Sequence, residues 1–116
     1  MDTADKGMIL IVDDDKFLLD MYAVKFKEKG YETVKALGSL DALEQLQNGL
    51  APKAILFDLV MPAMDGFELI EKVKADALAP QSKIIILSNL GQESDKERGE
   101  ELGVDGYIVK ASATPS

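Results

Sequence analysis

The chain contains no cysteine and no histidine. Without cysteine there is no disulfide framework, no thiolate zinc site and no thiol nucleophile. Without histidine there is no Ser-His-Asp triad, no imidazole-ligated metal and no phosphohistidine on this chain itself. Long apolar runs are missing too: nothing approaches the roughly 20 residues of a membrane span. The opening segment "MDTADKG" lacks the apolar core of a signal peptide. A cytoplasmic protein with no membrane partner is the resulting expectation. Basic residues are the minority sign, 13 Lys and Arg against 21 Asp and Glu, for a formal net charge of −8. Such a surface repels nucleic-acid phosphates and anionic lipid, so direct nucleic-acid binding by this chain is not expected.

What is present suffices for one ordinary domain. The 116 residues are 47% hydrophobic, enough to bury a core without a disulfide or a metal. No repeat, low-complexity tract or Pro/Gly-rich linker divides them. Short apolar runs alternate with helix-like segments, the pattern of a parallel sheet with helices on both faces. "MILIV" (8–12) reads as a strand buried on both sides, "YETVKAL" (31–37) as one nearer the sheet edge, and "AILF" (54–57), "KIIIL" (83–87) and "GYIV" (106–109) as three more. Between them, Leu18, Met21, Tyr22 and Phe26 fall at helical spacing before Gly30. Ser39 is placed to cap a second helix burying Leu43, Leu46 and Leu50. "FELIEKVKA" (67–75) makes a third helix, and "SDKERGEEL" (94–102) a polar fourth capped by Ser94.

Five strands alternating with four helices make a doubly wound α/β fold, in which ligands bind outside the carboxyl ends of the strands. The polar residues converge there. Asp13 and Asp14 follow the first strand, Asp58 the third, Ser88 the fourth and Lys110 the fifth. Adjacent carboxylates repel unless a positive charge compensates them. Hard oxygen ligands of this kind suit Mg²⁺. A carboxylate beside a cation, a hydroxyl and an ammonium is equipped to attack phosphorus and form an acyl phosphate. Asp15 is the natural N-cap of the helix that follows.

The motifs "ILIVDDD", "AILFDLVMPAMDGFE", "IIILS" and "GYIVK" resemble, in order and spacing, the receiver domains of bacterial two-component response regulators, from Met8 to Lys110. The resemblance implies a flavodoxin-like strand order, 2-1-3-4-5. It also implies that Asp58 accepts a phosphoryl group from a histidine kinase or phosphotransfer protein. Asp13, Asp14, Asp58 and the backbone carbonyl of Val60 would then hold Mg²⁺. Ser88 and Lys110 match the family's hydroxyl and lysine, and Tyr107 matches the aromatic residue that reports phosphorylation to a partner. On this reading the chain is a switch for an unknown downstream effector, catalysing only its own phosphorylation and dephosphorylation.

Other readings compete at single positions. "DDD" alone is also a charged strand-to-helix turn, Ser88 a turn residue, Lys110 a solvated lysine and Tyr107 plain packing. For the whole chain, the alternatives are a receiver-like interaction module that is not phosphorylated, and a phosphatase of the haloacid-dehalogenase type. The second fits the "DxD" of Asp13 and Asp15 but not Leu18 or the short chain.

Departures from the family pattern add further expectations. Val60 and Leu90 cannot orient an attacking water by hydrogen bonding, so slow self-dephosphorylation is expected. Asn89 stands where the family has a small residue, and Ala111 where it has proline after the lysine. Residues 1–116 read as a single domain, with 1–7 a polar tail and 111–116 the start of a truncated or missing fifth helix. Without that helix, apolar surface along the first and fifth strands would be exposed, which predicts self-association there.

Overall fold

The structure, a computed structural model, describes residues 7–59, 64–88 and 93–109. Strands β1 (Met8–Asp13), β2 (Glu32–Leu37), β3 (Ala54–Asp58), β4 (Lys83–Ser88) and β5 (Gly106–Val109) alternate with helices α1 (Lys16–Glu28), α2 (Ser39–Gln47), α3 (Gly66–Ala75) and α4 (Glu93–Leu102). All four strand pairings are parallel, in the order β2-β1-β3-β4-β5. This is the doubly wound, flavodoxin-like sheet expected, with "YETVKAL" contributing an edge strand.

Continuous apolar runs in the central strands reflect burial on both faces. Because side chains alternate along a strand, Leu10, Val12, Ile55, Phe57, Ile84 and Ile86 form one core with α2 and α3, and Leu102 of α4 packs against it. Ile9, Ile11, Leu56 and Leu87 form the other, under Leu19 and Ala23 of α1. Burying each large side chain stabilises the fold by roughly 1.5–3 kcal/mol before conformational entropy is counted. α3 supplies five buried residues, Gly66, Phe67, Leu69, Ile70 and Val73. α4 is polar along most of its length. It approaches the sheet at Gly99, where a β-carbon would lie 3.0 Å from Ile86 Cδ1.

Three local expectations are corrected. Ser39 does not cap α2: Gly38, at φ 92°, is the N-cap residue without a side-chain hydrogen bond, and Ser39 is buried in the first turn. Instead the Asp41 carboxylate of that turn accepts from the Leu37 N–H at 2.9 Å. α4 begins at Glu93, so Ser94 lies inside it rather than at its cap. On α1 the sheet-facing residues are Leu19 and Ala23 with Tyr22 and Phe26, while Met21 points to solvent. A groove of about 190 Å³ is lined by Ile9 of β1 and Ile108 of β5, with Phe26, Tyr31, Ala54 and Ile85.

Candidate functional site

The carboxyl ends of the central strands stand level. Val12 pairs with Phe57, Asp58 with Leu87, and Ser88 with Val109. The residues that end β1 and β3 are therefore neighbours. Asp13 continues the row of Ile9 and Ile11, and Asp58 the row of Ala54 and Leu56, so both side chains leave the sheet on the α1 side. Asp13 is 1% exposed and Asp58 6%, while Asp14 is open to solvent. Their carboxylates converge, with one oxygen from each within 4.8 Å of the others.

Local hydrogen bonds hold this arrangement. The Asp13 carboxylate accepts from the Asp15 N–H at 3.0 Å, folding the turn back on itself. The Asp13 carbonyl accepts from Gly38 N–H at 2.9 Å, tying the ends of β1 and β2 together. Asp15 turns away and caps α1, accepting from the N–H groups of Phe17 and Leu18, as read from the sequence. Gly66 N–H donates to the Leu59 carbonyl at 3.0 Å, and a β-carbon on Gly66 would sit 2.4 Å from the Asp58 carbonyl oxygen. Only glycine allows that approach. Asp65 and Glu68 then start α3 with a reciprocal capping box.

Two carboxylates almost out of water and a third beside them need compensating charge. Opposite ligands on an octahedral Mg²⁺ lie about 4.2 Å apart. Three carboxylate oxygens within 4.8 Å fit such an ion with small adjustments, and oxygen-only donors suit a hard cation.

Of the residues singled out in the sequence, the structure brings Asp13, Asp14 and Asp58 together. Ser88 ends β4 at the same edge, one position beyond the partner of Asp58. The Ser88 side chain, Val60, Asn89, Leu90, Lys110 and Ala111 lie outside the described residues. Tyr107 lies in β5 opposite Ile86, half-buried against the larger core. Its hydroxyl is buried with no hydrogen-bond partner among the described residues. Leaving such a group unsatisfied costs about 1–3 kcal/mol. A hollow of about 270 Å³ beside it is lined by Lys96, Glu100 and Val104.

Two features escaped the sequence reading. The Asp65–Glu68 box stands in the sequence as D-x-x-E just before the third helix. Arg98 of α4 lies over the Phe67 ring, 4.4 Å from its centroid, and 4.0 Å from the Glu71 carboxylate. No local signal announces that contact across 31 positions.

A parallel 2-1-3-4-5 sheet with an acidic cluster at its carboxyl edge defines an α/β domain built to act at that edge. The chain matches the response regulator receiver domain family over residues 9–115, and it belongs to that family. It is 37% identical over 102 residues to the phosphate regulon transcriptional regulatory protein PhoB of Pseudomonas aeruginosa, covering 88% of this chain and 44% of that protein. It is 31% identical to the DNA-binding dual master transcriptional regulator RpaA of Synechocystis, covering 88% of this chain and 42% of that one. The chain thus spans less than half the length of these curated relatives. Among solved structures, it superposes on the receiver domain of Francisella response regulator 1452 with a TM-score of 0.81 at 31% identity, covering 91% and 85% of the two chains. The Vibrio cholerae chemotaxis protein CheY4 gives 0.82 at 28% identity, covering 90% and 86%. These comparisons place the chain among the signalling domains of two-component systems. No helix among the described residues is long and apolar enough to cross a membrane.

Proposed function

We propose that the chain is a phosphorylation-dependent switch in which Asp58 accepts a phosphoryl group from a phosphohistidine on a kinase or phosphotransfer protein. The observation that carries this reading is the convergence of Asp13, Asp14 and Asp58 within 4.8 Å at the edge of a receiver-family sheet. An Asp58 carboxylate oxygen attacks phosphorus, a P–O bond forms, and the P–N bond of the donor breaks with its electron pair returning to the imidazole. Mg²⁺, when bound, neutralises charge on the phosphoryl oxygens. Asp13, Asp14 and Asp58 hold it, with the Val60 carbonyl as a further ligand. The burial of Asp13 and Asp58 keeps water from competing for their oxygens, and Gly66 holds the returning loop against the Asp58 backbone. Ser88 and Lys110 bind the transferred oxygens. The partly buried Tyr107, whose hydroxyl lacks a partner among the described residues, shifts with the new charge and alters the surface offered to an effector.

Intact mass after incubation with acetyl phosphate and Mg²⁺ tests this. One added phosphoryl group is expected on the chain, and none on Asp58→Asn or without the metal. Absence of the adduct when Mg²⁺ demonstrably binds would leave an unphosphorylated interaction module. The apolar Val60 and Leu90 make the adduct long-lived; decay within seconds would contradict that part of the reading.

A further inference from the structure

Strand β2 is the edge strand beside β1, so half of its backbone groups face away from any neighbouring strand. Glu32 N–H donates to the Gly7 carbonyl and Gly38 N–H to the Asp13 carbonyl, each at 2.9 Å and toward β1. In a parallel strand each residue turns its N–H and C=O to one side, and that side alternates along the chain. Thr33, Lys35 and Leu37 therefore present theirs outward. Such an edge is a template for another strand. The segment "ETVKAL" has β-branched residues and no proline to discourage one.

Two side chains of α2 reach this edge. Asp41 accepts from the Leu37 N–H at 2.9 Å, and the Gln45 side-chain amide donates to the Lys35 carbonyl at 3.0 Å. They stand at i and i+4, neighbours on the helix surface. Ala42 and Leu46, each one residue further on, are buried in the core. Packing of α2 on the sheet thus sets Asp41 and Gln45 over its rim. An acid in the first helical turn that accepts a nearby N–H is by itself an ordinary helix start. Gln45 has no such role, since it lies in the last turn and ten positions from the carbonyl it binds.

We propose that Asp41 and Gln45 are a guard that closes the β2 edge of the sheet to pairing with a further strand. An arriving strand bonds through the outward N–H and C=O groups in turn. Here it meets a carbonyl already holding a donor and an N–H already holding an acceptor, and it must lift both side chains away. Among the described residues, the outward N–H groups of Thr33 and Lys35 have no partner. With the Thr33 carbonyl they span fewer residues than the roughly 3–10 of an ordinary strand. The guard is a property of the fold and does not depend on phosphorylation of Asp58.

At high concentration the strand nearest to hand is β2 of another copy, so opening the edge is read as self-association. Asp41→Ala with Gln45→Met removes both bonds, and Gln45→Met alone removes one at a site outside the helix start. By sedimentation velocity the double variant is expected to associate at least tenfold more strongly than the unaltered chain, and Gln45→Met by less. Asp65→Ala, which loses a cap on α3, is the control for lowered stability and is expected to behave as the unaltered chain. Amide exchange in the associated fraction should show Thr33 and Lys35 newly protected. In the unaltered chain the Leu37 amide should exchange more slowly than that of Thr33, although both point outward. Equal rates for those two amides would overturn the proposal. So would variants that associate no more than Asp65→Ala, or that associate while Thr33 and Lys35 still exchange freely.

Discussion

Gly66 lies so close to Asp58 that a β-carbon on the first would stand 2.4 Å from the carbonyl oxygen of the second. The residue that opens α3 and the residue that ends β3 are thereby locked together, with Leu59 accepting the Gly66 N–H. Gly66→Ala must push backbone against backbone, since the two nearest atoms, the Asp58 carbonyl oxygen and the Leu59 Cα, are both main-chain. A loss of about 2–4 kcal/mol is expected, read as a lower urea midpoint with unchanged slope. An unchanged midpoint would show that the loop relaxes freely.

The caps at Asp15 and Asp65 make a paired prediction. Asp15 accepts two N–H groups of α1, and Asp65 anchors a reciprocal box on α3. Alanine at either position is expected to cost about 1 kcal/mol. Asp15→Ala should leave phosphorylation of Asp58 intact, because its carboxylate is committed to the helix. If phosphorylation fails while the fold melts normally, Asp15 belongs to the acidic site instead.

Between α3 and β4 two alanines occupy the left-handed region, Ala77 at φ 53° and Ala79 at φ 41°. That conformation costs a residue with a β-carbon roughly 1–2 kcal/mol, and glycine recovers part of it after its own larger unfolded entropy. Ala77→Gly and Ala79→Gly are each expected to raise stability by up to about 1 kcal/mol. Denaturant unfolding of the two variants decides it, and destabilisation by both would refute the assignment.

Asp20 supplies the pH prediction. Hydrogen bonds from Lys35 and then Lys16 hold its carboxyl below the usual aspartate range. A carboxyl depressed by folding contributes stability above its unfolded pKa, and the contribution disappears as pH falls through the folded value. The side chain is about half-exposed, so solvent screens most of the effect. The observable is the titration of the Asp20 carboxyl carbon by NMR. Its midpoint should lie below that of an unpaired aspartate and rise on Lys35→Met. Equal midpoints in the two proteins would dismiss the pair as an influence on Asp20.

The strands were legible because a buried parallel strand is a continuous apolar run, as in "ILIV" and "KIIIL". Asp13, Asp14 and Asp58 followed from the strand ends, since strands of one parallel sheet terminate at a common edge. The face of α1 was harder. Both of its sides are apolar, so helical spacing pointed to Leu18 and Met21 beside Tyr22 and Phe26, whereas packing buries Leu19 and Ala23. Ser39 looked like a cap by residue type, but the positive φ at Gly38 put the cap one residue earlier. The Arg98–Phe67 contact depends on how α4 settles beside α3, a tertiary outcome with no local trace.

The polar character of α4 has a thermal consequence. Among the described residues, Leu102 and the approach at Gly99 are its footing on the sheet, and Arg98 adds a tie to Phe67. A partly buried leucine and a cation–π contact together amount to roughly 1–3 kcal/mol, a handful of thermal energies. α3, with five buried residues, is held several times more firmly. Amide hydrogens of α4 should therefore exchange through small local openings long before those of α3, which wait for global unfolding. The two neighbouring helices live on different clocks.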